Sequence, residues 1–173
     1  YLERLENDGL PLNVGYLVPH GMLRIMIMGM QDRHATEDEL KAMKQLLDAS
    51  LDEGALGLST GMIYPPCSYA SDDELAGLTS VLPKHNGVFV IHMRNEGQWL
   101  LESAEQTIDI CRQSGAALHI SHLKASGKAN WHKASRLVEM INAARAEGMA
   151  VTADQYPYIA GSTLLTACLP QWT

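Results

Sequence analysis

Four stretches of the chain repeat one plan: an amphipathic helical segment, a glycine, then a short apolar run. "TEDELKAMKQLLDASLDEG" leads into "ALGLSTG", and "SDDELAGLTSVLPKHNG" into "VFVIHMR". "EGQWLLESAEQTIDICRQSG" leads into "AALHISHLK", and "NWHKASRLVEMINAARAEG" into "MAVTADQYPY". Thr36-x-x-Glu39 and Ser71-x-x-Glu74 have capping-box spacing, which satisfies free backbone donors at a helix start. Gly54, Gly87, Gly115 and Gly148 stand where the helical pattern stops. A glycine there tolerates the left-handed conformation that releases the chain into a strand. Leu40, Met43, Leu46, Leu47 and Leu51 recur on one helical face, as do Leu101, Ala104, Ile108 and Cys111. A further apolar run, "LNVGYLVPHG", precedes the first unit and reads as a strand.

Strands alternating with helices at intervals of about thirty residues imply right-handed βαβ units and a parallel sheet. The expected strands lie near residues 12–20, 54–60, 88–93, 117–123 and 150–155 of one domain without linkers. On length alone, 173 residues suit a small doubly wound sheet. A (β/α)8 barrel takes eight strands and roughly 250 residues. A doubly wound nucleotide binder, however, carries a glycine-rich phosphate loop after its first strand, and "VPHGML" does not provide one.

Composition narrows the partners. A 46% hydrophobic and 19% charged content is that of a globular chain. The net charge of −7, with no basic stripe, argues against nucleic acid as a partner. No run approaches the roughly 20 apolar residues that cross a bilayer, so no membrane role is expected. Cys67, Cys111 and Cys168 are far apart without CxxC spacing, which fits reduced thiols and a cytoplasmic location.

In parallel α/β folds the active site lies at the carboxyl ends of the strands. Those ends are polar here: His20, Ser59-Thr60, His92 with Arg94, His122 with Lys124, and Asp154 with Tyr156. Strand alternation puts Val88, Val90, His92 and Arg94 on one face, and Leu118, Ile120, His122 and Lys124 on one face. His119 then points the other way, toward the helices. If the shared face is a barrel interior, the two imidazoles meet at its mouth. Neutral imidazole is the commonest metal ligand, and two of them make half of a zinc site. A cation there would lower the pKa of a bound water toward neutrality, producing a nucleophile able to attack an amide. Lys124, one pleat beyond His122, would reach toward the substrate. His20 reads as a hydrogen-bonded structural histidine, while His34, His85 and His132 fall at helix ends as solvated or capping groups. Asp154 reads either as a ligand or base, or as the structural partner of a nearby Arg or Lys.

"GALGLSTGMIYPPCSYAS", "HMRNEG", "HISHLKASGKANW" and "TADQYPYIAGST", in this order, resemble the N-acyl-D-amino-acid deacylases (D-aminoacylases) of the amidohydrolase superfamily. The resemblance covers nearly the whole chain. It implies an α/β fold, a partial TIM (β/α)8 barrel whose five parallel strands are barrel strands three to seven. Residues 1–173 would form one partial barrel domain, with the other barrel strands and a small β domain outside it. By the same resemblance His92 and His122 are zinc ligands from strands five and six, and Lys124 contacts the substrate. Tyr64, Tyr156 and Ser162 would bind the substrate carboxylate and the reaction oxyanion, a task suited to hydroxyl donors.

Three family features are missing: the H-x-H pair of strand one, the cysteine ligand of strand two, and the aspartate base of strand eight. Cys67 lies too late in the chain to replace that cysteine and reads as a bystander thiol. The chain is therefore expected to resemble an internal fragment with an incomplete metal site, binding zinc weakly and hydrolysing nothing alone. Its open sheet edges would invite self-association. The parent would cleave the amide of a small N-acyl-D-amino acid to a carboxylate and a D-amino acid. One alternative is a cyclic-amide hydrolase of the dihydroorotase or hydantoinase kind, although "GALGLSTG" lacks the bridging lysine common there. Another is a non-catalytic βα module completed by a partner chain.

Overall fold

The computed structural model describes residues 2–168. Its elements are α1 (Leu2–Asp8), β1 (Leu17–Pro19), α2 (His20–Met28), α3 (Glu37–Asp52), β2 (Gly57–Gly61) and α4 (Asp72–Thr79). They continue as β3 (Val88–His92), α5 (Leu100–Ser114), β4 (Ala117–Ile120), α6 (Ala134–Ala146) and β5 (Val151–Ala153). All neighbouring strands pair in parallel, in the order β1-β2-β3-β4-β5. A doubly wound sheet reverses its strand order at a switch point. This sheet does not reverse, so its topology is that of consecutive barrel staves, against the expectation from length alone.

Helices α2 to α6 contribute side chains to one core with the sheet. Leu58, Phe89, Ile91, Leu118 and Ile120 are buried in a single core with Met43, Leu47, Leu78 and Leu100 of the helices. Each such side chain contributes about 1.5–3 kcal/mol on burial. The intervening residues Val88, Val90, His92, Ala117 and His119 are only half-buried and form the opposite, concave-side surface. Gly57 pairs with Val88, and a Cβ at Gly57 would overlap the Val88 carbonyl oxygen. No larger residue fits that approach of two staves.

Several local expectations are corrected. The apolar run over 12–20 yields only a three-residue strand, and His20 starts α2, which sequence reading missed. "HGMLRIMIM" shows no clean helical period because it is apolar on both faces: Leu23 and Met28 are buried while Met22 and Met26 are exposed. Thr36 and Glu39 form the full capping box. Ser71 caps the amide of Glu74, but the Glu74 side chain turns into the core instead of returning to the cap. The left-handed residue before β3 is Asn86 (φ 53°), not Gly87, because α4 stops at Thr79 and a Pro83–His85 turn intervenes.

Candidate metal centre

His92 closes β3. Its carbonyl accepts from the Met62 amide at 3.0 Å, tying the strand end to the loop that follows β2. That loop brings the Tyr64 ring to 5.5 Å from the His92 ring. A Cβ at Gly61 would come within 2.8 Å of the Tyr64 ring, so the glycine leaves room for it.

His122 arrives by a different route. The register pairs Val90 with His119, which places His119 on the face of His92 and overturns the expectation that it packs against the helices. Strict alternation would send His122 the other way, with Leu118 and Ile120, into the core. β4 ends at Ile120, however, and His122 adopts a left-handed conformation (φ 42°). Such a conformation costs a non-glycine residue about 1–3 kcal/mol. Asp154 offsets it by accepting the His122 amide at 2.5 Å, and the Leu123 amide donates to the Asp154 carbonyl at 2.8 Å. The turn swings the ring back, and the His92 and His122 centroids lie 4.4 Å apart at 76°.

Both nitrogens of His119 are engaged, with Thr152 Oγ1 and Asp154 Oδ2, each at 2.8 Å. The His119 contact, then the His122 amide, holds the Asp154 carboxyl below the usual carboxylate range. Asp154 is thus the structural partner of histidines, where an Arg or Lys had been the structural alternative.

Glu96 was not singled out from the sequence, yet it sits at the centre of the cluster. Its oxygens lie 2.6 and 2.7 Å from Lys124 Nζ, and Oε1 lies 3.1 Å from His122 Nδ1. Lys124 also donates to the His122 carbonyl at 3.0 Å and stands 5.7 Å from the centroid of Tyr156. One signal was available: an acidic residue four positions after His92, in the turn beyond a strand end. Arg94, expected on the face of His92, instead donates to the carbonyls of Ser68 and Ala70 and clasps two loops together. Tyr64 Oη bonds Thr163 Oγ1 at 2.7 Å. Neighbouring Ser162 is exposed and makes no hydrogen bond among the described residues.

A donor atom from each of His92, Glu96 and His122 falls within 4.8 Å of the others. His92 Nε2 is buried without a hydrogen-bond partner, the kind of orphaned donor atom that a cation would satisfy. Burial pushes the His92 pKa down, outweighing Glu96, and keeps the ring in the neutral form that ligates. The residues present therefore fit part of a zinc site, short of a closed tetrahedral shell.

The other strand-end histidine is structural. His20 is fully buried and binds Thr60 Oγ1 at 2.9 Å and Glu74 Oε1 at 2.8 Å. Arg24, also fully buried, meets both Glu74 oxygens at 2.6 and 2.8 Å. Cys67 lies buried against His20 and is not among the residues whose donor atoms converge at His92 and His122, and no cysteine among the described residues is paired.

No family model matches the chain. It is 36% identical, over 165 residues, to a D-aminoacylase of Alcaligenes xylosoxydans xylosoxydans, covering 95% of this chain and 34% of that protein. An N-acyl-D-glutamate deacylase of the same organism is 35% identical over the same shares of both chains. A solved D-aminoacylase, described as defining a novel subset of amidohydrolases, superposes with a TM-score of 0.89 at 39% identity, over 93% of this chain and 34% of that one. The N-acyl-D-glutamate deacylase of Bordetella bronchiseptica, solved with zinc and a phosphonate mimic of the tetrahedral intermediate, gives 0.87 at 34% identity over 90% and 33%. An Arthrobacter aurescens L-hydantoinase at 17% identity and 0.52 shares the fold alone. Sequence and fold together make this chain homologous, over nearly its whole length, to the N-acyl-D-amino-acid deacylases among the amidohydrolases, and it spans about a third of their length.

Proposed function

We propose that the chain supplies barrel strands three to seven of a metal-dependent hydrolase that cleaves N-acyl-D-amino acids to a carboxylate and a free D-amino acid. His92 and His122 would hold zinc, with further ligands from outside the chain. When bound, that cation supplies Lewis acidity and an activated water for attack on an amide. Lys124, its charge steadied by Glu96, would meet the substrate's carboxylate. Tyr64, Tyr156 and Ser162 would donate hydrogen bonds to the substrate and to the developing oxyanion. The observation that carries the reading is the buried, unpartnered Nε2 of His92 beside a second imidazole 4.4 Å away. β2 reads "GLSTG" and offers no bridging lysine, which weighs against a cyclic-amide hydrolase.

The test uses the longest natural open reading frame that encodes this chain. Zinc-dependent release of D-amino acids from N-acyl substrates, lost in His92→Ala and His122→Ala, is expected. Cleavage of cyclic amides alone would reject the reading. Among the described residues the cysteines are free, which favours a cytoplasmic location, and the outer edges of β1 and β5 pair with no further strand, which is where self-association would occur. Among the described residues no helix is long and apolar enough to cross a membrane.

A further inference from the structure

His119 stands outside the group of converging donor atoms, one layer further down the same concave face. The register sets it between Val90 of β3 and Thr152 of β5, and His92 follows Val90 by two residues. Its Nδ1 lies 2.8 Å from Thr152 Oγ1 and its Nε2 2.8 Å from Asp154 Oδ2. Neither nitrogen can take a cation without giving up a partner. A histidine so placed, and so fully engaged, is a support rather than a ligand.

What it supports is reached through Asp154. The Asp154 amide donates to the Ile120 carbonyl at 3.2 Å, and the Asp154 carbonyl accepts from the Leu123 amide at 2.8 Å. The backbone there is pinned to the end of β4, which leaves rotation of the carboxylate to be fixed. Oδ1 accepts the His122 amide and Oδ2 meets His119. A carboxylate held at both oxygens has one orientation; held at one, it pivots. An ionised carboxylate only accepts, so His119 Nε2 is the donor. The same two contacts lower the Asp154 pKa. His122 has a left-handed backbone (φ 42°) without being glycine, a conformation that lasts only where its surroundings impose it.

We propose that His119 is a positioning residue: acting through Asp154, it holds the left-handed turn that brings the His122 ring to His92. Thr152 aims the His119 ring at the carboxylate, and the carboxylate then fixes the His122 amide. The bracing itself needs no metal; its consequence for metal affinity rests on the zinc reading above. Partners that stand behind a ligand commonly change metal affinity about 10–100-fold, and His119, a step further back, belongs at the low end.

The experiment uses the product of the longest natural open reading frame that encodes this chain, as wild type, His119→Gln and His119→Asn. Glutamine carries its amide nitrogen to about where Nε2 lies and keeps a donor for Asp154, whereas asparagine reaches only as far as Nδ1. Hydrogen exchange of the metal-free protein, read by mass spectrometry on peptides spanning 119–124, reports the His122 amide. Competition with a chelator reports zinc affinity. Expected in His119→Asn are one more rapidly exchanging amide in that segment and zinc binding about tenfold weaker. His119→Gln should stay close to the wild type in both. Identical behaviour of all three proteins overturns the proposal, and so do equal losses in the two variants, which would mark a packing role. Should circular dichroism show either histidine variant unfolded, Thr152→Val carries the decision: faster exchange at His122 supports the proposal and an unchanged rate overturns it. If the wild type takes up no zinc, the zinc reading falls, and the exchange comparison alone decides the role of His119.

Discussion

The rings of His92 and His122 meet edge to face at 4.4 Å, although one leaves a regular strand and the other a left-handed turn. The turn is held by Asp154, which receives the His122 amide and joins His119 on its other oxygen. Adjacent staves thus bring two imidazoles together only because a third stave supplies the brace.

Asp154→Ala should loosen that brace. The substitution removes a charge-assisted hydrogen bond at an exposed side chain, a loss of about 1 kcal/mol in overall stability. Its larger effect should be on the ring, since the Asp154 carboxylate is what holds the His122 amide in the turn. Urea titration and zinc titration of the variant should show a small change in midpoint and a disproportionate loss of zinc affinity.

The buried His20–Glu74–Arg24 group makes a stability prediction. Glu74→Ala leaves Arg24 and His20 buried without their anion, an effect on the order of 3–5 kcal/mol. Glu74→Gln should cost less, because the amide oxygen still accepts from Arg24. Chemical denaturation distinguishes the two; equal, small losses would contradict the pairing.

The same group fixes a pH dependence. Burial opposes the charge on Glu74, but His20 and Arg24 outweigh it and lower its pKa. Its contribution is present above the usual glutamate value, about 4.3, and is lost as pH falls through the lower folded value. Burial likewise opposes the charge on His20, but Cys67 and Glu74 outweigh it and raise its pKa. That contribution is present below the usual histidine value, about 6.5, and is lost as pH rises through the folded value. Stability measured against pH should fall on the alkaline side of this window in the wild type, and that alkaline fall should shrink in His20→Asn.

Gly57→Ala tests the packing of adjacent staves. Its methyl would strike the Val88 backbone, and no side-chain rotation relieves it. A loss of about 2–3 kcal/mol or more is expected from thermal denaturation. A neutral outcome would mean that β2 and β3 are further apart than the register states.

The sequence made the repeat legible because helix caps, terminal glycines and apolar periods are local signals. The strands of β3 and β4 and the helices α3, α5 and α6 stand where those signals put them, within a few residues. The orientation of β4 was not legible. Counting pleats through "ALHISHLK" assumes unbroken extension, and the left-handed His122 breaks it without a glycine to announce the turn. The count therefore paired His122 with His92 by the wrong path and sent His119 to the wrong face. Glu96 escaped notice because a single acidic residue in a loop has no period, and only the fold brings it to Lys124. Glu74 shows the opposite problem: a recognised capping box whose second half is diverted by a buried arginine that its own sequence context does not reveal.

Zinc titration of the chain by calorimetry, compared with His92→Ala and His122→Ala, addresses the central relationship most directly. The account predicts weak uptake of zinc by the wild type that disappears in each single variant while the fold is retained. Zinc binding that persists unchanged without either imidazole would contradict it.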